Sequence, residues 1–525
     1  DNYENYPEMT AHFVTGEVNG YIELGKTDMT RAYELLRKGG NTEPHFDMMS
    51  HRALLNFPKS LYYSSTFKKN GANYNRVEEL LHIFDTVMYI QEDIQGHYKY
   101  KAQGLQRVHR NRSLFHATYT SYYGASSSYR TYYNVNSMAP GIVDPTDQWK
   151  KNVTHYTNDV VGSIWGLAHE LGHTNQTDLF KWRGLTEVTN NLMCAITQMI
   201  FYGEGNTTMR FNDHFNRSMI DIATRVIWDF DSEGNYYERP LTHCESVNTP
   251  CYRNFSEGTD PTSQLMPFWQ LYLYYHVALG KTDFYPDFYE LCRTKDIQSA
   301  NYASTDLYHS AMTLEYMKSI SEAAGEDLSD FAQAWGLPGV NRPNGVNKGT
   351  KVNHYGQNFI ITSAEEVAAS VAACQKFPKP KMNPFYIHDL NIDLYRNPQP
   401  VTAGTHSVDD NGNFTVSGWQ NVVAWVLVDP NKKDLRTGEQ GRVMAVKKWD
   451  DALNGGFQYG YKESRYMPIA EGNYTDYYYT DGSSNKVGTA RALQAATPDY
   501  EYVKGLQLYA VDAYGTRYAS QSNTK

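Results

Sequence analysis

The run His169-Glu170-Leu171-Gly172-His173 limits what this chain can fold into more than any other feature. Two histidines four residues apart lie one above the other on the same face of an α-helix, so both imidazoles can reach one metal ion. The glutamate beside the first histidine can hold a water molecule there. A catalytic zinc ion keeps three protein ligands and one open position. The motif therefore predicts a zinc site that needs one further ligand.

Three acidic residues downstream are candidates for the third ligand: Asp178, Glu187 and Glu204. A third histidine at the metzincin spacing is excluded because Leu179 occupies that position. Asp178 lies in a polar stretch that ends the first helix, and Glu204 follows the end of the next. Glu187 opens an apolar segment of helical period, and a helix packed antiparallel to the first would bring it to the histidines. We predict Glu187 as the ligand, with Asp178 as the alternative.

The motif also assigns roles in catalysis. Zinc held by His169, His173 and Glu187 is expected to lower the pKa of a bound water, whose proton Glu170 accepts and passes to the leaving amine. A chance match is the alternative, but the surrounding segment is apolar, and burying these groups without a metal is costly. A tyrosine or histidine after residue 200 is expected to complete the oxyanion site. The candidates to orient the histidines lie beside Glu187: Thr189, Asn190 and Asn191.

Two segments resemble the signature of the enhancin and mucin-degrading metallopeptidases, metallopeptidase family sixty. Trp165–Gln176 and Gly184–Asn191 match the family pattern His-Glu-x-Gly-His-x-x-Gln followed by Gly-Leu-x-Glu-Val. Weaker likeness extends over roughly residues 10–385, in Phe13–Leu24, Leu265–Leu271 and Asp330–Gly336. The resemblance implies a gluzincin, in which two histidines and a glutamate bind zinc, and a heavily O-glycosylated, mucin-type protein as substrate.

Only the resemblance indicates a sugar requirement, because the motif spacing by itself predicts a hydrolase. A general zinc endopeptidase that tolerates glycans is the first alternative. A glycan-binding adhesin with a vestigial site is the second, and the intact Glu170 argues against it. A metal-dependent deacetylase is disfavoured because such sites are usually built from Asp and His without this helix motif.

Composition and charge limit which other classes of protein this chain can belong to. The net charge of -10 and the absence of a polybasic run exclude an electrostatic surface for nucleic acid. No apolar run reaches the roughly twenty residues of a membrane span. The chain begins at Asp1 without a secretory leader, and we expect a secreted or cell-surface monomer whose leader has been removed. Cys244 and Cys251 can form a local disulfide, whereas Cys194 is expected to be buried.

A chain of 525 residues suggests two or three domains. We predict an α+β multidomain protein with a mixed part over 1–115, a zincin domain over 116–380 that is mostly helical around the zinc site, and a β-sandwich over 386–525. A Pro-rich linker near residues 377–384 separates the last two. The predicted helices are 30–38, 74–98, 266–279, 307–324 and 328–335.

Aromatic and flexible segments provide candidates for substrate contact. The chain has 44 tyrosines, which suit sugar binding but also simply pack β-structure. Leu114–Tyr119 is predicted to be an edge strand to which the substrate backbone adds. The candidate contact residues in the following loop are Tyr122, Tyr123, Gly124 and Arg130. Two further candidates for a sugar platform are Trp419 and Trp425, although core packing is the commoner outcome.

Overall fold

The structure is a computed structural model, and the description covers residues 10, 12–15, 20–36, 45–62, 75–109, 111–119, 123–127, 130–143, 164–181, 185–204, 229–230, 236–237, 261–295, 307–335, 337, 351–354, 357–360, 364–433, 439–449, 457–458, 474–480, 486–493 and 500–520. The chain divides into two compact units, one made of Asp1–Met88 with Arg110–Asp147 and one made of Tyr89–His109 with Gln148–Lys525. The boundaries predicted from sequence stay a prediction. Within the described residues, every helix is too short or too polar to cross a membrane.

The described helices and strands follow in chain order. The helices are α1 (Met29–Leu36), α2 (Lys59–Leu61), α3 (Asn75–Ile94), α4 (His97–Ala102), α5 (Ala139–Ile142), α6 (Ile164–Thr174), α7 (Thr186–Tyr202), α8 (Pro261–Leu271), α9 (Phe284–Thr294), α10 (Ser310–Ala324), α11 (Ser329–Ala334), α12 (Ala364–Cys374), α13 (Ile392–Arg396) and α14 (Tyr500–Lys504). The strands are β1 (Tyr21–Glu23), β2 (His45–Met49), β3 (Ala53–Pro58), β4 (Ser113–Thr118), β5 (Gly124–Ser127), β6 (Arg130–Asn134), β7 (Asp229–Phe230), β8 (Tyr236–Tyr237), β9 (Leu307–His309), β10 (Lys351–His354), β11 (Gln357–Ile360), β12 (Thr405–Val408), β13 (Asn413–Ser417), β14 (Ala424–Lys433), β15 (Gln440–Lys448), β16 (Phe457–Gln458), β17 (Tyr474–Thr480), β18 (Lys486–Leu493), β19 (Gln507–Val511) and β20 (Arg517–Ala519).

The first unit is built on a mixed sheet whose described strands run in the order β1-β2-β3-β4-β6-β5. Burial alternates along β2, where Phe46 and Met48 point into the core, as expected for a sheet covered on one face. The part of α3 up to Met88 belongs to this unit and buries an apolar stripe. Phe84 on that stripe meets Phe115 of β4 edge to face at 4.9 Å. The predicted amphipathic helix is therefore confirmed for the part of α3 up to Met88.

The prediction that Leu114–Tyr119 forms an edge strand is wrong. β4 occupies this segment and pairs in parallel with β3 on one side and with β6 on the other. Its backbone groups are used by these two neighbours, so it cannot accept an added substrate strand. The strand at that end of the described sheet is β5.

One helix was predicted over 74–98, but the structure has two. α3 ends at Ile94, and α4 begins at His97 after Gly96, which has a φ of 74°. A glycine is required at Gly96 because a Cβ there would lie 3.0–3.1 Å from atoms of Pro286. Helical periodicity in sequence continues across such a break, so it does not reveal it.

The helical part of the second unit follows the sequence prediction with two changes. The predicted helix 266–279 is α8 followed by a π-helical segment, Tyr272–Ala278. The predicted helix 307–324 opens with the short strand β9 before α10 begins. In the first unit the predicted helix at 30–38 corresponds to α1, and in the second the predicted helix at 328–335 corresponds to α11.

The C-terminal region is rich in antiparallel sheet, as predicted. Among its described strands, β12-β13-β16 form one sheet and β15-β14-β19-β20 another. Phe414 of the first sheet and Leu427 of the second lie in the same hydrophobic cluster. Trp425 is 2% exposed within this cluster, and Trp419 meets it edge to face at 5.4 Å. Core packing, the commoner of the two predicted outcomes for Trp425, is the one that the structure has.

Of the three cysteines with a predicted role, the structure describes one. Cys194 is buried, as expected. Cys244 and Cys251 lie outside the described residues.

Candidate metal centre

The candidate centre lies between two helices that approach each other closely. α6 is buried along nearly its whole length, which follows from its apolar sequence. α7 begins at Thr186 and packs against it. At Gly172 the two backbones lie so near each other that a Cβ would be 2.7 Å from the carbonyl oxygen of Asn190. Glycine in the motif thus allows α7 to bring its first turn to the two histidines.

Three possible ligand atoms converge at this crossing. The Nε2 atoms of His169 and His173 are 3.2 Å apart. Oε2 of Glu187 lies 3.2 Å from the first and 3.4 Å from the second. Zinc bonds of about 2.0–2.1 Å in a tetrahedron require ligand atoms roughly 3.3–3.4 Å apart. The donor types and their separations therefore fit a zinc ion, and the 59% exposure of the Glu187 side chain leaves one side open.

Each histidine is hydrogen-bonded through its other ring nitrogen. Nδ1 of His169 lies 2.8 Å from Oδ1 of Asn191, whose own amide group donates to the Glu187 carbonyl at 2.8 Å. Nδ1 of His173 lies 3.2 Å from Oε1 of Gln176. Acceptors at both Nδ1 atoms place the protons there and leave both Nε2 lone pairs aimed at the same point. Two lone pairs that converge in this way are suited to a cation between them.

The charges of the three converging groups also favour a cation at this point. Burial alone would lower the pKa of His169, but its hydrogen bonds with Cys194 and Glu187 raise it well above the usual value. Hydrogen bonds from His169 and His173 hold the pKa of Glu187 well below its usual value. The three groups together thus favour a positive charge among them, which a proton or a metal ion supplies.

Glu170 lies beside the first histidine on α6 and is only 6% exposed. Burial raises the pKa of its carboxyl group, and the two histidines oppose that shift. A buried carboxylate next to the converging ligands is suited to accepting and returning a proton.

The connection between α6 and α7 is anchored by an aromatic cluster. Phe180 is fully buried and stacks on Tyr316 at 5.8 Å. It also meets Phe268 and Phe288 edge to face, each at 5.1 Å. This packing holds the segment around Phe180 in place.

Glu204, the last of the three acidic candidates, is not part of the converging group. Among the described residues, the only His, Cys, Asp and Glu side chains that lie close enough together to hold a metal ion are those of His169, His173 and Glu187. Asp178 lies in the 3-10 turn Asp178–Phe180. Glu204 lies beyond the far end of α7 and pairs with Arg396 at 2.5 Å.

The neighbouring candidates have distinct contacts. Nδ2 of Asn190 lies 3.1 Å from Nε2 of His173. The hydroxyl group of Thr189 donates to the Phe180 carbonyl at 2.7 Å and does not touch a histidine. Gln176 was not predicted as a contact of the ligands. The sequence feature that points to this contact is the position of Gln176, three residues after the second histidine and just beyond the end of α6.

The candidate substrate residues lie in the first unit. Tyr123 is 57% exposed, Gly124 begins β5 and Arg130 begins β6. Nε of Arg130 donates to the Ser127 hydroxyl at 3.1 Å. Tyr122 lies outside the described residues.

A buried helix that presents two histidines and a glutamate, with a carboxylate of the next helix close to both histidines, has the arrangement typical of a metallopeptidase centre. The model of the family "Peptidase M60, enhancin and enhancin-like" matches residues 58–336, more than half of the chain. The protein belongs to this family of metallopeptidases, which confirms the resemblance seen in the sequence. A search among curated proteins gave no match.

Solved structures share the fold. A metallopeptidase in complex with Tn antigen superposes with a TM-score of 0.59 at 19% identity, over 97% of this chain and 78% of that one. A metallopeptidase from Bacteroides thetaiotaomicron gives 0.59 at 18%, over 97% and 71%. The M60 catalytic domain of Clostridium perfringens ZmpC, in complex with the sialyl T antigen, gives 0.52 at 15%, over 95% and 75%. This protein therefore has the M60 metallopeptidase fold, with mixed helices and sheets.

Proposed function

We propose that this protein is a zinc endopeptidase that hydrolyses peptide bonds in O-glycosylated, mucin-type proteins. The observation that carries the proposal is the convergence of His169, His173 and Glu187, with ligand atoms 3.2–3.4 Å apart. These residues would hold the ion. Glu170 on the same helix would serve as the catalytic base.

A zinc ion bound there supplies a Lewis acid that polarises the scissile carbonyl and lowers the pKa of a water molecule. Glu170 accepts the proton of the attacking water, and its burial raises the affinity of the carboxylate for that proton. The same carboxyl group then donates the proton to the leaving amine, so one residue serves as base and acid in turn. Asn191 and Gln176 hold the imidazoles in the tautomers that direct Nε2 toward the ion.

The substrate class rests on family membership and on two neighbours of the same fold that were solved with Tn antigen and with sialyl T antigen. The accompanying proposals are a zincin domain over 116–380 and a C-terminal β-sandwich over 386–525. The shared core of the two C-terminal sheets supports the second of these. We further propose a secreted or cell-surface monomer that does not bind nucleic acid.

The test is cleavage of a mucin-type O-glycoprotein before and after enzymatic removal of its O-glycans, with and without a zinc chelator, and with fragments identified by mass spectrometry. Chelator-sensitive cleavage of the glycosylated form alone is expected. Equal cleavage of both forms would leave a general zinc endopeptidase. The Glu170→Gln variant is the matched control: its cleavage should be strongly reduced, and undiminished cleavage would count against Glu170 as the catalytic base. No cleavage of either form, together with no bound zinc, would overturn the proposal.

A further inference from the structure

Gln176 joins the second histidine to the start of the helix that carries the third ligand. Its Oε1 atom lies 3.2 Å from Nδ1 of His173. Its Nε2 atom donates to the carbonyl oxygens of Leu185 at 3.3 Å and Thr186 at 2.9 Å. The Thr186 carbonyl belongs to the same peptide group as the backbone nitrogen of Glu187. One amide side chain therefore contacts both halves of the candidate metal centre.

The orientation of this amide is fixed by its surroundings. Nε2 of Gln176 also donates to the hydroxyl oxygen of Thr189 at 2.8 Å. That hydroxyl group gives its own proton to the Phe180 carbonyl at 2.7 Å, so it is an acceptor for the amide. All three oxygen atoms facing this end of the amide are thus acceptors. Rotating the amide by half a turn would place its carbonyl oxygen against them.

The fixed amide in turn sets the tautomer of His173. With Oε1 facing the ring, the proton of a neutral imidazole is held on Nδ1, because an unprotonated Nδ1 would face a second lone pair. Nε2 is then unprotonated and faces Oε2 of Glu187 and Nε2 of His169. Backbone carbonyls at the start of α7 thus determine, through one side chain, which nitrogen atom of His173 can bind a metal ion.

We propose that Gln176 is a positioning residue that couples His173 to Glu187, so that the two ligands bind zinc as a unit. The inference rests on the proposed zinc site and deepens it. Gln176 does not touch the reacting atoms. Its effect is expected first in metal affinity and in the geometry around the ion, and only through these in turnover.

The experiment compares the full-length chain with three variants, Gln176→Met, Gln176→Glu and Asn175→Ala. Met has similar size and lacks both hydrogen-bonding functions. Glu keeps an acceptor for His173 but places a carboxylate against the carbonyls of Leu185 and Thr186. Asn175 is the matched control, since it is the adjacent amide and donates instead to Gln91 on α3, at 2.7 Å.

Zinc dissociation constants from competition with a chromophoric chelator are the main readout. Gln176→Met and Gln176→Glu are each expected to weaken zinc binding by about 10–100-fold, the usual effect of removing such a partner of a ligand. Asn175→Ala is expected to stay within about threefold of the unaltered protein. The visible spectrum of the cobalt-loaded protein should change in the Gln176 variants and not in Asn175→Ala. In cleavage assays at saturating zinc, kcat should fall while KM is unchanged.

A double-mutant cycle with Glu187→Gln tests the coupling itself. Gln176→Met raises the zinc dissociation constant by some factor in the otherwise unaltered protein. In the Glu187→Gln background this factor should be at least about threefold smaller, because one of the two coupled ligands is already lost. Equal costs in both backgrounds, or equal losses in Gln176→Met and Asn175→Ala, would overturn the inference and leave the zinc site standing. Failure of the unaltered protein to bind zinc would overturn both.

Discussion

A Cβ atom on Gly172 would lie 2.7 Å from the backbone carbonyl oxygen of Asn190, a separation that real Cβ atoms essentially never show. Gly172 comes one residue before His173 on α6, and Asn190 comes three residues after Glu187 on α7. Any side chain at this position must push α6 and α7 apart. The ligand separations of 3.2–3.4 Å then cannot be kept.

The substitution Gly172→Ala should therefore destabilise the protein, against the usual trend. Alanine in place of glycine within a helix normally adds about 0.5–1 kcal/mol of stability. Here we expect a loss of roughly 1–3 kcal/mol from overpacking, measured by urea unfolding of the metal-free protein. Zinc affinity should fall in parallel, and Gly172→Ser should cost at least as much. A variant as stable as the unaltered protein would show that the helices are free to separate.

The substitution Glu170→Gln should remove catalysis without removing the metal. The amide has nearly the same shape but cannot accept the proton of the attacking water. Because general acid–base groups contribute about 10²–10⁴-fold, we expect kcat to fall within that range. Zinc content, measured by elemental analysis, should stay at that of the unaltered protein. Loss of zinc from this variant would instead indicate that Glu170 helps to hold the ion.

Removal of zinc should lower the free energy of unfolding, because the ion binds only the folded arrangement of the three ligands. At a free zinc concentration one hundred times the dissociation constant, linkage predicts a stabilisation of about 2.7 kcal/mol. Urea unfolding with zinc and with a chelator measures the difference. The variant Glu187→Ala is the control and should show little of it. An equal zinc effect in this variant would place the ion elsewhere.

The amino-acid sequence predicts those parts of the fold and of the candidate site that depend on local spacing. Two histidines in an apolar run fix their own geometry once α6 forms, and the helical period around Glu187 indicated α7 in the same way. The contacts of Gln176 were not predictable, because they depend on carbonyl groups that only the folded loop brings near. The position of β4 inside its sheet likewise depends on β3 and β6, which no feature of Leu114–Tyr119 encodes.

Asp389 provides a prediction about pH that is independent of the metal centre. It is 2% exposed, and both of its carboxylate oxygens lie 3.2 Å from Nε1 of Trp269. Burial raises the pKa of this carboxyl group to about 6, although Trp269 and the nearby charge of Lys448 favour the ionised form. The folded state therefore holds this proton at pH values where the unfolded chain, with an ordinary aspartate pKa near 4, has lost it.

The sign of the effect follows from that difference. A raised pKa in the folded state contributes stability below the unfolded value, and this contribution is lost as the pH rises from about 4 to about 6. The substitution Asp389→Asn keeps an oxygen acceptor for Trp269 and carries no charge at any pH. The unfolding free energy of the variant relative to the unaltered protein should therefore increase by roughly 2–3 kcal/mol between about pH 4 and pH 7. Urea unfolding at both pH values measures it. A difference that does not change with pH would show that Asp389 titrates normally in the folded protein.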